Sequence, residues 1–176
     1  MMNAAPDWEA IYRPRLNRGL VGLAFLALPG SDTPDVVRDL EAPMICLGGS
    51  VLLAFKDCPD LELSWVQTGA VDFGVGVVGR ICEPWDRDRI MMSAEEPWSA
   101  LRGADLAAVL VHACDGVEGA HDVAIEHRFK GGEGDAVLWV ATGSKGKICA
   151  VDDLVVSVGR PSGPASGDLT LVRTIQ

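Results

Sequence analysis

From Trp98 to Ser157 the chain alternates turns with short apolar runs. A tryptophan-led turn is followed by ADLAAVLVHAC, HDVAIEHRF, DAVLWVAT and DDLVVSV. The first half shows the same order more loosely: Trp8 leads to LNRG, then LVGLAFLAL, PMICLGG, SVLLAFKD and LELSWV. Runs of this length, bounded by Gly, Pro and Asp, predict strands and are too short for core helices.

Taken in order, Asp7 caps one helical turn at Trp8 to Ile11, limited by Pro14 and Gly19. Leu20 to Leu28 is apolar almost throughout and predicts a strand covered on both faces. Asp32 to Leu40, with Pro34 near its start and Val36, Val37 and Leu40 at helical spacing, predicts a short surface helix. Pro43 to Leu47, Ser50 to Lys56 and Leu61 to Val66 predict three further strands. In the last, Leu61, Leu63 and Trp65 share one face, and Glu62 and Ser64 are expected on a wet one. In Val71 to Val78, Gly74 and Gly76 line a face without side chains, which admits a close neighbour. Ile90 to Ser93 predicts a short strand, and Asp168 to Ile175 an edge strand with Leu169, Leu171 and Ile175 on one side.

The echo between the halves predicts a mainly β fold. Two related antiparallel units, residues 1–79 and 97–176, would be joined by an acidic segment at 80–96 and packed as one domain with one or two short helices. An α+β arrangement is the alternative. Trp8 and Trp98, in equivalent places, would plug the ends of the two sheets.

Composition adds a partner class. The net charge is −10, spread over both halves: residues 1–80 hold six basic and ten acidic side chains, and residues 81–176 hold nine and fifteen. Such a field repels phosphate backbones and anionic lipid and favours cationic partners, so neither nucleic acid nor membrane is the expected partner. The five cysteines are odd in number and irregularly spaced, without a CxxC pair, which predicts buried thiols in a reducing, cytoplasmic compartment. Arg13, Arg15 and Arg18 precede the run Leu20 to Leu28 as in a signal peptide. The acidic Asp7 and Glu9, Pro14 and the absence of a small-x-small cleavage site argue for a core strand there.

Candidate chemistry is sparse, and no cofactor or metal site is expected. Gly74, Gly76 and Gly79 have the GxGxxG spacing, but they sit inside an alternating strand and not before a helix N-terminus. Gly143 to Lys147 fails the phosphate-loop spacing and reads as a solvated hairpin loop. Together with Arg128 and Lys130 it could form a local basic spot. If the strands bearing them pair, His112, Cys114 and His127 could converge as zinc ligands or as a nucleophile and base. The segment 80–96 offers a different chemistry, with Trp85 set among Glu83, Asp86 and Asp88, a ring and carboxylates suited to a basic surface.

Two functions follow as expectations. The first is a non-enzymatic acidic protein-binding domain, of the immunity or antitoxin kind, that neutralises a basic partner through Glu83, Trp85, Asp86 and Asp88. The alternative is a small-molecule-binding module or hydrolase-type enzyme with a cleft between the two units, built on His112, Cys114 and His127. A structural subunit is a third class, whose sign would be a large exposed apolar patch.

Overall fold

The computed structural model describes residues 6–27, 36–39, 44–68, 73–78, 89–91, 96–114, 122–131, 134–144, 147–149, 153–159 and 169–176. Helix α1 (Trp8–Tyr12) is capped by the Asp7 side chain, which accepts a hydrogen bond from the Ala10 amide at 3.2 Å, and a 3-10 turn at Arg13–Arg15 ends it. The first-half strands are β1 (Leu20–Ala27), β2 (Val36–Asp39), β3 (Met44–Leu47), β4 (Gly49–Phe55), β5 (Leu61–Gln67), β6 (Phe73–Val77) and β7 (Arg89–Met91). After a second 3-10 turn at Trp98–Leu101 come β8 (Asp105–Cys114), β9 (Ala124–Lys130), β10 (Ala136–Ser144), β11 (Lys147–Ile148), β12 (Leu154–Val158) and β13 (Leu169–Ile175).

Among the described residues the fold is mainly β, in two antiparallel sheets, with one short helix. One sheet has the order β7-β1-β4-β5-β6, and the other β13-β8-β9-β10-β12-β3-β2, with β11 on β10. In each sheet four antiparallel strands follow one another in chain order, β1-β4-β5-β6 and β8-β9-β10-β12, and the first of the four is flanked by a later strand. Shared strand order does not by itself establish a duplicated chain. Strands β2 and β3 of the first half pair beyond β12 in the second sheet.

Apolar residues at alternate positions of both sheets meet in one core. Leu23, Phe25, Val51, Leu53 and Leu63 come from one sheet, and Val109, Val111, Ile125, Leu138, Val140 and Val156 from the other. Each such side chain taken from water contributes roughly 1.5–3 kcal/mol. Trp8 and Trp98 belong to this core. Trp98 stands edge-on to Phe25 with ring centroids 5.7 Å apart, and the Trp8 indole N–H donates to the Asp122 carboxylate at 2.9 Å.

Three local expectations are corrected. Val36–Asp39 is a strand and not a helix, because its β-branched Val36 and Val37 pair with Leu47 and Cys46 of β3. The polar face of β5 is not wet: Glu62 and Ser64 are buried. Burial there is made tolerable by hydrogen bonds, from Ser50 Oγ to Glu62 at 2.5 Å and from Ser64 Oγ to the Gly49 carbonyl at 2.7 Å. In β13 a bulge between Leu171 and Arg173 shifts the register, so Thr174 lies opposite Leu110 and Ile175 opposite Val109. Leu171 and Ile175 therefore do not share a face.

The glycine face of β6 behaves as its sequence suggests. Gly76 receives the Val66 side chain so closely that an added Cβ would lie 2.6 Å from its methyls. Among the described residues no helix is long and apolar enough to cross a membrane.

Candidate functional site

Strands β8 and β9 do pair, and their register decides the fate of the histidines. Val109 lies opposite His127, whereas His112 lies opposite Ala124, three residues away along β9. An odd separation along a strand means opposite faces. His127 therefore points into the inter-sheet core and His112 points outward, so the convergence of His112, Cys114 and His127 does not occur. A bulge between Leu106 and Ala108 also breaks the alternation of β8. Leu106 consequently lies opposite Phe129, on the core side, while His112 shares the outer face with Leu110.

His127 is wholly buried and both its nitrogens are engaged. Because a carbonyl can only accept, Nδ1–H donates to the Leu138 carbonyl at 3.2 Å, leaving Nε2 to accept from the Tyr12 hydroxyl at 2.7 Å. Burial lowers its pKa from 6.5 to about 4, although the bond to Leu138 acts the other way. Burial likewise pushes the Tyr12 phenol above its ordinary range, with the nearby Arg15 charge opposing. The ring is thus neutral at physiological pH and serves as a core hydrogen-bonding group.

His112 sits in a different setting. On the outer face of the second sheet, Leu110 lies opposite Glu126, and Glu126 opposite Trp139. The imidazole Nε2 of His112 is 3.2 Å from Glu126 Oε2, and the Nε of Arg128 donates to Glu126 Oε1 at 2.6 Å. The His112 and Trp139 rings stack with centroids 5.0 Å apart. His112, Glu126 and Trp139 are buried, while the Arg128 side chain is about half exposed.

These side chains form the floor of a trough of about 780 Å³. Its sides are apolar at Val137, Val158, Leu169 and Leu171, with Asp135 and Arg128 as the other charged members. The trough lies on the outer face of one sheet, whereas the space between the sheets is filled by the core. Its chemistry is that of an amphipathic groove: an apolar wall for contact, and a carboxylate fixed between an imidazole and a guanidinium.

Cys114 is half-buried on the same face, packed with Val123, Ala124 and Trp139, and is not among the lining residues. No group of three or more His, Cys, Asp or Glu side chains among the described residues is placed to hold a metal ion. Glu83, Trp85, Asp86 and Asp88 lie outside the described residues. The parts that sequence reasoning missed are Glu126 and Trp139, and Arg128, expected in a local basic spot, donates instead to Glu126. The available signal was the pair of charges two apart in AIEHRF, which puts Glu126 and Arg128 on the face opposite His127. Comparison with protein-family models, with curated proteins and with solved structures found no match.

Proposed function

We propose that this protein acts by binding, and that its outer-face trough seats a segment of a basic partner protein. The observation that carries the reading is the preorganised floor. Glu126 is already held by His112 and Arg128, so a partner meets a fixed surface and little ordering cost is left for the binding step. Apolar contact comes from Leu110, Leu169 and Leu171. The net charge of −10 supports a cationic partner through long-range attraction. Neutralisation of a basic toxin, in the manner of an immunity protein or antitoxin, is the member of this class that the charge favours. The carboxylates of Glu83, Asp86 and Asp88, with the ring of Trp85 among them, remain its candidate contacts.

The test is capture from the source lysate with tagged protein at low salt, followed by elution with rising salt. The wild type is expected to yield a stoichiometric basic protein. Leu171→Asp, and separately the triple reversal Glu83→Lys, Asp86→Lys and Asp88→Lys, are expected to lose it. Equal recovery by the wild type and both variants, or no basic partner at all, overturns the reading.

One observation favours a second reading, that of a cleft enzyme. An imidazole hydrogen-bonded to a buried carboxylate at a trough floor is the arrangement of an oriented general base. Charge reversal at Glu83, Asp86 and Asp88 separates the two, because it is expected to abolish partner capture under the first reading and to leave intact, under the second, a turnover that His112→Gln abolishes.

A further inference from the structure

From β12 through β10, β9 and β8 to β13 each strand is antiparallel to its neighbour, so β12 and β13 run parallel. Residues 160–168 join them. A connection between parallel strands of one sheet is a crossover that passes over one of its faces. The face towards the first sheet is closed to it, because Val109, Ile125, Leu138 and Val156 are packed there in the shared core. That leaves the outer face, the one that carries the trough.

The two ends to be joined sit at opposite corners of that face. The Gly159 amide donates to the Val137 carbonyl at 2.8 Å, and Val137 lies level with Arg128 and, through it, with Ala108. Leu169 lies opposite Cys114, six residues further along β8. Four strand spacings across and six residues along put the corners about 28 Å apart on the diagonal. The chain from Gly159 to Leu169 spans at most about 33–36 Å, whereas a route around the end and edge of the sheet needs about 39 Å. The diagonal crosses Trp139, Glu126 and His112. Val158 and Gly159 at one corner and Leu169 and Leu171 at the other line the same trough.

We propose that the occupant of the trough in the free protein is residues 160–168 of the chain itself, laid across Trp139, Glu126 and His112 on the way from Gly159 to Leu169. The floor is nearly closed to solvent although it belongs to an outer face, with Trp139 4 %, Glu126 7 % and His112 9 % exposed. The segment, RPSGPASGD, suits the path. About 2.8 Å per residue is close to the ~3.1 Å rise of polyproline II, the conformation that Pro161 and Pro164 favour. Its side chains between Arg160 and Asp168 are small, and its two prolines bring no N–H to be left unpaired over an apolar wall. Arg160, directly after Gly159, falls at the end of the trough where Asp135 is an exposed carboxylate, a match of charge.

The trough is then satisfied from within, and a partner segment enters it only as residues 160–168 leave. This regulation of the site rests on the binding reading given above, whereas the intramolecular contact stands on strand order and chain length alone.

Nuclear Overhauser spectra of the purified intact chain, with no partner added, test the contact. Cross-peaks are expected from the ring protons of Trp139 and His112 to protons of residues 162–166. A sample mixed from isotope-labelled and unlabelled chains separates the occupants. Cross-peaks within one chain support the proposal. Cross-peaks found only between chains would give the trough to a second copy and overturn it, as would the lack of any cross-peak from either ring to residues 162–166. The spectra contain no partner, so a failure of partner capture leaves their outcome untouched, and a missing contact leaves the capture experiment to be judged by its own variants.

Discussion

The imidazole of His112 lies against the indole of Trp139, with ring planes 27° apart, although their strands are not neighbours. Strand β9 runs between them and presents Ala124 opposite both His112 and Ala141. A methyl group at this point leaves the space in which two rings can meet. Ala124→Leu is therefore expected to push them apart and to destabilise the fold by about 1–3 kcal/mol through overpacking. Urea denaturation gives the energy, and the ring-current shift of the His112 protons reports the separation.

Glu126 and Arg128 form a pair of unequal members, since one is buried and the other half exposed. Glu126→Gln keeps the shape but weakens two hydrogen bonds, at an expected cost of about 1–3 kcal/mol. Arg128→Ala removes a side chain that water can replace and is expected to cost under about 1 kcal/mol. Urea midpoints of the two variants should preserve that order. The reverse order would show that the guanidinium, and not the carboxylate, anchors the trough floor.

Two glycines of the first sheet make a contrasting pair. A Cβ at Gly49 would stand 2.2 Å from the Leu26 carbonyl oxygen, which belongs to the neighbouring strand backbone and cannot move aside. At Gly22 it would meet the Ala54 methyl at 3.5 Å, an ordinary contact. Gly49→Ala is expected to cost more than about 3 kcal/mol, and Gly22→Ala to fall within about 1 kcal/mol of wild type. Thermal melting of the purified variants distinguishes them.

Global stability should fall in mild acid because of His127. Its pKa in the folded chain lies near 4, below the value of 6.5 in the unfolded one, so the unfolded chain binds the proton more readily. The stabilisation is complete above pH 6.5 and is lost as the pH falls towards 4, for a total of up to about 3 kcal/mol. Urea unfolding at pH 7.5 and pH 4.5 measures the difference, and His127→Gln should lose this component.

The strands were legible because their apolar runs are short and sharply bounded. The run Leu20 to Leu28 became β1, and ADLAAVLVHAC, HDVAIEHRF, DAVLWVAT and DDLVVSV became β8, β9, β10 and β12 with small shifts at the ends. The capped turn at Asp7 was equally plain, since Asp at that position has a local hydrogen bond to make. Partnership was not legible. Nothing local in MICL says that β3 lies beside β12, which is distant in sequence. The helix expected at Asp32 to Leu40 gave way to a strand at Val36–Asp39 for the same reason, because the pairing with β3 that makes it a strand is a tertiary fact.

The trough was hidden by register. Whether His112 and His127 share a face depends on a one-residue difference in pairing, and a bulge near Ala107 changes the parity of β8 without a sequence marker such as glycine. Glu126 carries no local mark of burial, yet β9 is flanked on both sides. Its burial follows from the neighbours Trp139 and Leu110, which only the sheet order supplies.

The placement of β3 beside β12 also bears on how the molecule is made. A chain that emerges from the ribosome N-terminus first will have completed the hairpin of β2 and β3 long before Leu154–Val158 has been synthesised. Until then that hairpin offers an open edge and has no sheet to join, so the second sheet cannot close during translation of the first half. The nascent first half must wait, with its edge exposed, for the last third of the chain, and a truncated product ending before β12 would be left with that edge permanently available to other strands.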